Sequence, residues 1–193
     1  MLIQSSRSLL TILSQCKTIP IIENRLQFTQ VLDSSHTGSV LLRHCNLFDF
    51  TPLLEEAHRR RLTVYVNIDH IDGIHADSAG LRYLAQQMRV TGIVSNHPRN
   101  LALGKNFGLE TIQRIFAVDS TGLEMALETV DTEYVDLLDI SPALVVPYVV
   151  PSLTPPLPLS FIASGLVHTP QQLEAVLHAG AAGVAVSHPE LWL

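Results

Sequence analysis

The chain has 193 residues, of which 47% are hydrophobic, and its formal net charge at pH 7 is −6. This length and composition suit a single domain with a substantial core. The negative net charge disfavours nucleic-acid binding driven by overall charge, but it does not exclude a local basic patch that binds nucleic acid. No apolar run reaches the length of a membrane span, no secretory cleavage pattern follows the first residues, and the two cysteines, Cys16 and Cys45, do not indicate a disulfide framework. We therefore expect a cytoplasmic protein.

Eight strand-like segments alternate with helix start signals along the chain. A short apolar helix is predicted within residues 1–18, where it would act as a cover. Helix starts are indicated by Thr51 with Pro52, by Asp119 before Ser120, and by the complete capping box of Thr169 with Gln172. The predicted strands are 19–22, 39–42, 62–68, 92–95, 111–118, 134–138, 159–163 and 182–186.

Eight strand-then-helix units favour a closed barrel. At about 24 residues per unit the chain is near the lower size limit of a compact (β/α)8 TIM-type barrel. We predict one barrel domain over residues 1–193, with residues 1–18 forming an N-terminal helix over the barrel. A doubly wound parallel sheet is the alternative, because continuous apolar strands occur in both folds.

The fifth strand carries two polar residues, Gln113 and Arg114, in an otherwise apolar segment. Alternation places one of them on each face of the strand, so at least one points into the interior. A buried guanidinium needs an anion. The sequence leaves open whether that anion is a carboxylate, from Asp69 or Asp119, or a bound phosphate.

Polar residues also mark the carboxyl ends of the predicted strands, where barrels of this type carry their functional sites. A Ser164-Gly165 turn follows the seventh strand, and Ser187 precedes the last helix. Backbone N–H groups at these two positions match the usual phosphate site of the architecture, although ordinary helix caps would leave the same pattern. The full set of polar strand-end residues is Asn46, Asp69, Asp72, Ser95, Asn96, Asp119, Ser120, Asp139, Ser164 and Ser187.

Histidines offer a competing interpretation. Six of the nine histidines fall at or just beyond predicted strand ends, namely His44, His70, His75, His97, His168 and His188. With Asp69 and Asp72 they could form the metal centre of a hydrolase acting on a small phosphodiester, but no firm ligand motif supports this alternative. We expect no metal and no cofactor. The basic cluster 58–61 either complements the dipole of its helix or contacts RNA phosphates.

Five segments of the sequence resemble the glycerol-3-phosphate-responsive antiterminator family, the regulators of glycerol uptake operons. They are VNIDHIDGI at 66–74, GIVSN at 92–96, GLETIQRIFAVDS at 108–120, IASGLV at 162–167 and AVSHPELW at 185–192. The stretch TIQR and the terminal LW are the most specific parts, and the resemblance covers nearly the whole chain.

The resemblance implies a non-catalytic barrel that senses glycerol 3-phosphate and acts on the leader mRNA of glycerol-utilisation genes to prevent termination. Its partners would be the small-molecule effector and RNA, with no membrane. A homo-oligomer interface could use Trp192 or the N-terminal helix, which could equally pack over the barrel. The ligand-binding residues expected on this basis are Asp69, Lys105, Gln113, Arg114, Asp119, Ser164, Gly165 and Ser187.

Overall fold

Eight parallel strands close into a barrel, in chain order, in a computed structural model that describes residues 8–33 and 37–192. This confirms the predicted (β/α)8 fold over the doubly wound sheet. The strands are β1 Thr18–Ile22, β2 Ser39–Leu42, β3 Thr63–Asn67, β4 Gly92–Ser95, β5 Glu110–Phe116, β6 Leu137–Ser141, β7 Phe161–Ser164 and β8 Val184–Val186.

Seven of the eight α-helices that the structure describes follow strands β1 to β7 around the outside of the barrel, and the first helix precedes β1. The helices are α1 Leu9–Leu13, α2 Arg25–Asp33, α3 Leu47–Arg59, α4 Ser78–Gln86, α5 Pro98–Lys105, α6 Ser120–Glu128, α7 Val146–Val149 and α8 Pro170–His178. The Thr169 capping box is present as predicted. Helix α3 begins earlier than predicted, because the Asn46 side chain accepts two backbone N–H groups, each at 3.0 Å, and sets the start ahead of Pro52. No helix among the described residues is long and apolar enough to cross a membrane.

Strand β6 lies three residues later than its predicted start. Tyr134 and Val135 favour a strand by composition, but both donate their N–H groups to the Asp131 carbonyl at 3.0 Å and form a turn. The strand starts only at Leu137, and its register places Asp139 directly beside Arg114 of β5. A residue expected beyond the end of the strand therefore lies within it.

The barrel interior is apolar from its base to its middle. One buried cluster contains side chains from all eight strands and from α1: Leu9, Leu13, Ile19, Ile21, Leu41, Tyr65, Val94, Ile112, Leu137, Ile162 and Ala185. A larger cluster fills the space between the strands and the outer helices. Because side chains alternate along a strand, residues two positions beyond the inner cluster also face inward.

Both chain ends that the structure describes pack on the barrel. Helix α1 covers the amino ends of the strands, where the Leu9 N–H donates to the two Glu110 oxygens at 3.2 and 3.1 Å. Trp192 is 6% exposed and donates its indole N–H to the Val186 carbonyl at 3.0 Å. Packing over the barrel is thus the arrangement found for Trp192, while residues 1–7 of the predicted N-terminal helix lie outside the described residues.

Candidate functional site

A layer of polar residues lies at the carboxyl ends of the strands, above the apolar interior. Each strand contributes the residue two positions beyond its last member of the inner apolar cluster, and every one of these residues is polar. Four lie within their strands and four are the first residues past them. We call this set the polar layer: Glu23, Arg43, Asn67, Asn96, Arg114, Asp139, Ser164 and Ser187.

Arg114 and Asp139 form a buried ion pair at the centre of this layer. The Arg114 Nε donates to Asp139 Oδ2 at 2.8 Å, and Arg114 Nη2 lies 2.7 Å from the same oxygen. Ser164 Oγ also donates to Asp139 Oδ2, at 3.1 Å. The carboxylate that pairs with Arg114 is therefore Asp139, and the two partners considered from the sequence, Asp69 and Asp119, do not fill this role.

Two atoms of the pair lack a hydrogen-bond partner among the described residues. They are Asp139 Oδ1 and Arg114 Nη2, and both are buried. The short Nη2–Oδ2 contact is an ion pair in which the N–H bonds are not aligned with the oxygen, so it does not count as a hydrogen bond. The charges of the pair balance, but Arg114 Nη2 can still donate a hydrogen bond and Asp139 Oδ1 can still accept one.

The turn after β7 lies beside this pair. Gly165 has a φ of +90°, and a Cβ there would lie 3.3 Å from Ser141 Oγ, so the position suits glycine. The parallel pairing of Ser164 with Ala185 turns the Gly165 N–H towards the Ala185 carbonyl. Among the described residues, the Ser187 N–H makes no turn, loop or cap hydrogen bond. The N–H groups around the start of α8 are largely used: Gln172 Oε1 accepts from His168 and Thr169, Thr169 Oγ1 accepts from the Gln172 N–H, and Pro170 has no N–H. Anion binding here would therefore rely on the two strand-end turns.

Asp69 and Asp119 lie on the rim and are bonded within the chain. Asp69 accepts from Ser95 Oγ at 2.7 Å, from the Asn96 N–H at 2.8 Å and from Asn100 Nδ2 at 3.2 Å. It thereby joins the loops that follow β3 and β4. Asp119 is the N-cap of α6 and accepts from the Gly122 N–H at 2.7 Å. Both carboxylates thus hold local structure at the mouth of the barrel.

Lys105 and Gln113 lie away from the polar layer. Gln113 faces outward from β5, where its Nε2 donates to Thr129 Oγ1 at 2.8 Å behind α6. Lys105 ends α5 at the amino end of β5 and pairs with Asp136. Of the eight residues expected at the ligand site, the structure brings together Arg114, Ser164, Gly165 and Ser187. It separates Lys105 and Gln113 from them, because alternation turns Gln113 outward and Lys105 precedes its strand.

Four of the six strand-end histidines meet in two pairs. The His44 and His70 rings stack with centroids 4.6 Å apart, and His168 Nδ1 lies 2.6 Å from His188 Nε2. In the described part of the chain no group of three or more His, Cys, Asp or Glu side chains is placed to hold a metal ion. The pKa of His70 is lowered, first by burial and then by the nearby charges of His44 and Arg114.

The basic cluster 58–61 lies at the end of α3, away from the polar layer. Arg59 and Arg60 both pair with Glu56, and His58 Nε2 contacts the Arg89 carbonyl at 3.2 Å. Burial and the charge of Arg89 lower the pKa of His58. Two of the three arginines are thus partly neutralised within their own helix.

Sequence reasoning missed three members of the polar layer. Arg43 pairs with Glu23, with its Nη2 2.7 Å from Glu23 Oε1, and Asn67 is 2% exposed. The signal that could have found them is the alternation itself, since each lies two residues beyond an inward apolar residue.

Comparison with known proteins identifies similarities to one family and to several solved barrels. The family model described as glycerol-3-phosphate responsive antiterminator matches residues 18–192. The glycerol uptake operon antiterminator regulatory protein of Listeria monocytogenes is 22% identical, with a TM-score of 0.80 over 91% of this chain and 94% of that one. A glycerol uptake operon antiterminator-related protein of Thermotoga maritima is 23% identical, with a TM-score of 0.79 over 92% and 98%.

The barrel also resembles enzymes. A deoxyribose phosphate aldolase from Aeropyrum pernix is 14% identical, with a TM-score of 0.67 over 96% of this chain and 90% of that one. No curated protein matches the chain. These low identities to solved structures describe the fold alone, whereas the family model spans nearly all of the sequence.

Proposed function

Since the chain belongs to the glycerol-3-phosphate responsive antiterminator family, we propose that it senses glycerol 3-phosphate and, with this ligand bound, acts on leader mRNA to prevent transcription termination. The protein is a regulator without catalytic activity in this proposal. Its targets are transcripts of glycerol-utilisation genes, so it works in the cytoplasm.

One observation carries the proposal: at the carboxyl end of the barrel, a buried ion pair with unused hydrogen-bonding capacity lies beside the turn after β7. Arg114 is 7% exposed, and Ser164, which shares its partner Asp139, precedes Gly165 directly. Barrels of this architecture bind phosphate with the turns after strands seven and eight. A small phosphorylated polyol suits a site that combines an anion-binding turn with an inner polar layer.

The proposed ligand set is narrower than the one expected from sequence. The backbone turns at Gly165 and Ser187 bind the phosphate, and Arg114 and Ser164 line the inner side of the site. Asp69 and Asp119 shape the surrounding loops. Lys105 and Gln113 are left out because of their positions.

Ligand binding has to favour the RNA-competent state through contacts that differ between two states of the protein. The loops after β7 and β8 are the simplest elements for this role, since both contribute to the proposed phosphate site. RNA contacts lie outside the pocket, and the basic cluster 58–61 is the candidate surface. An oligomer interface that responds to the ligand is a second route to the same coupling.

Calorimetric titration of metal-stripped protein with glycerol 3-phosphate tests the sensor, with glycerol and inorganic phosphate as controls. We expect saturable binding that prefers the whole molecule to either part. Footprinting on leader RNA with and without the ligand tests the coupling. Protection of the RNA that does not depend on glycerol 3-phosphate would contradict the proposal, as would folded protein that binds none of the three compounds.

Gly165→Ala is a variant aimed at the phosphate turn. The added Cβ faces Ser141 Oγ at 3.3 Å in a backbone conformation that favours glycine, so the turn has to move. We expect weaker binding of glycerol 3-phosphate. Gly108→Ala is the matched control, because Gly108 also has a positive φ, +77°, but a Cβ there meets nothing within 4 Å and it lies at the opposite end of the barrel.

A further inference from the structure

The buried Arg114–Asp139 pair has unused hydrogen-bonding capacity of two kinds. Asp139 Oδ1 needs a donor and Arg114 Nη2 needs an acceptor, and neither has one among the described residues. The same condition is found for Ser39 Oγ and Gln113 Oε1, but these atoms belong to neutral groups outside the polar layer. A buried charged group without a hydrogen-bond partner costs more free energy than a buried hydroxyl or amide without one. The Arg114–Asp139 pair is therefore the most costly of these unsatisfied groups.

The pair is a poor receptor for phosphate. The Arg114 charge is already balanced by Asp139, whose side chain is 0% exposed. A phosphate dianion carries no donor for Asp139 Oδ1, and its charge would be repelled by that carboxylate. A hydroxyl group is the chemical match, because the same oxygen donates one hydrogen bond and accepts another.

We propose that Arg114 and Asp139 bind a hydroxyl group of the ligand and select for a polyol, while the phosphate is bound elsewhere in the site. The inference rests on the proposed function and deepens it. It changes the role of Arg114 from the phosphate contact expected from the sequence to a contact with the glycerol moiety. The hydroxyl donates to Asp139 Oδ1 and accepts from Arg114 Nη2.

The arrangement of neighbouring residues fits this orientation. Ser164 Oγ donates to Asp139 Oδ2, and the next residue, Gly165, forms the turn at the mouth with a φ of +90°. Residues 164 and 165 thus connect the hydroxyl end to the phosphate end of one small ligand. Because Asp139 Oδ1 and Arg114 Nη2 are both buried, a ligand hydroxyl reaches them only if a side chain moves. We expect the Arg114 side chain to shift, since it is longer and more flexible than that of Asp139.

The decisive measurement compares ligands that differ by one hydroxyl group. Wild-type protein is titrated with glycerol 3-phosphate, propane-1,3-diol monophosphate and propane-1,2-diol 1-phosphate, all of which carry the same phosphate. We expect at least one of the two deoxy compounds to bind about tenfold or more weakly, the effect of losing a hydrogen bond to a buried charged group. Equal affinity for all three would overturn the inference and indicate that solvent satisfies the two atoms.

Asp139→Asn assigns the preference to this pair. The variant keeps the shape of the side chain and removes its charge, and we expect the ratio of affinities between glycerol 3-phosphate and the weaker deoxy compound to fall towards one. Asp77→Asn is the matched control, since Asp77 is an exposed N-cap of α4 and asparagine caps equally well. An unchanged ratio in folded Asp139→Asn would overturn the inference even if overall affinity fell.

The two proposals fail in different ways. If wild-type protein binds none of the three phosphates, the proposed function is wrong and the inference falls with it. If glycerol 3-phosphate binds without a preference for its hydroxyl groups, the proposed function stands and only the inference is lost. Should Asp139→Asn fail to fold, the inference stays falsifiable, because equal affinity of wild-type protein for the three phosphates would still overturn it.

Discussion

Each end of the barrel interior contains a charged group from β5, which is half-buried at the base and buried at the mouth, and the hydrogen bonding of the two groups differs. At the base, the Glu110 carboxylate accepts from the Leu9 N–H and, at 2.5 Å, from the Tyr65 hydroxyl. At the mouth, Arg114 and Asp139 balance each other's charge but leave one donor and one acceptor unused. The base is closed with the chain's own groups, whereas the mouth retains binding capacity.

This difference separates stability from function along one strand. Burial raises the pKa of Glu110 while the bonds from Tyr65 and Leu9 lower it, so those two donors partly offset the cost of burial. At the mouth, the cost of burying Arg114 and Asp139 is not fully offset, because Arg114 Nη2 and Asp139 Oδ1 lack hydrogen-bond partners among the described residues. Stability at the amino ends of the strands and binding at their carboxyl ends is the division of labour typical of barrels of this type.

The largest expected effect comes from breaking the pair at the mouth. Asp139→Leu leaves the Arg114 guanidinium buried without its partner and should lower the free energy of unfolding by about 3–5 kcal/mol. Urea denaturation measures this loss. A loss below about 1 kcal/mol would mean that Arg114 escapes to solvent and that the pair contributes little.

The double variant Arg114→Met with Asp139→Leu sharpens this test. Replacing both partners of a buried ion pair with apolar residues is often neutral or stabilising. We expect stability near or above that of the wild type together with loss of ligand binding. Retained binding would show that the pair serves stability only.

A smaller effect is expected from opening the base. Tyr65→Phe removes a donor to the half-buried Glu110 carboxylate and should cost about 1.5–3 kcal/mol, the usual contribution of a hydrogen bond to a charged group. Because Tyr65 lies at the far end of the interior, affinity for glycerol 3-phosphate should stay at the wild-type value. Unfolding curves and calorimetry give the two quantities, and a large loss of affinity would contradict the separation of the two ends.

The pKa values of two histidines, one near each end of the barrel, allow the two ends to be compared as pH changes. The pKa of His70 near the mouth and the pKa of His58 near the base both lie below the ordinary value of 6.5, in each case mainly because of burial. The unfolded chain therefore binds more protons just below pH 6.5, so both histidines contribute stability that is present above pH 6.5 and is lost as pH falls through their folded values. NMR titration of the two imidazoles should show that bound glycerol 3-phosphate raises the pKa of His70 and leaves that of His58 unchanged. An equal response of both would place the anion elsewhere.

The smallest effect is expected at Lys105. Its side chain is 36% exposed and its ion pair with Asp136 is screened by solvent, so Lys105→Met should cost less than about 1 kcal/mol. Ligand affinity should not change, because Lys105 lies at the amino ends of the strands. Weaker binding in this variant would restore the sequence-based assignment of Lys105 to the ligand site.

The fold was predictable because each of its eight units carries its own local signals. Gly and Pro positions, caps such as Thr169, and apolar runs identify the strands without knowledge of tertiary contacts. The partner of Arg114 was not predictable in this way. The turn at Tyr134 depends on hydrogen bonds to the Asp131 carbonyl. A strand predicted from residue composition alone starts at Tyr134 and ends before Asp139. Three residues of displacement moved the central carboxylate of the site out of its strand.

The direction in which a side chain faces also limited the prediction of the site. Gln113 and Arg114 are adjacent in sequence, and only the closed barrel decides that Ile112 and Arg114 face inward while Gln113 faces α6. Lys105 was assigned by family resemblance, which carries no information about the end of the barrel at which a residue lies. Chemistry could be predicted from residue types, but facing direction required the closed barrel.

The polar layer gives protein engineers eight addressable positions, one on each strand, above a continuous apolar interior. A library that varies these positions in neighbouring pairs would change the recognised ligand while the strands below keep their register. Glu23 with Arg43 and Arg114 with Asp139 are already matched pairs, so each could be exchanged as a unit without leaving a charge alone. The barrel thus provides a scaffold for new small-molecule sensors in which paired residues that set specificity are exchanged above an apolar interior that is kept.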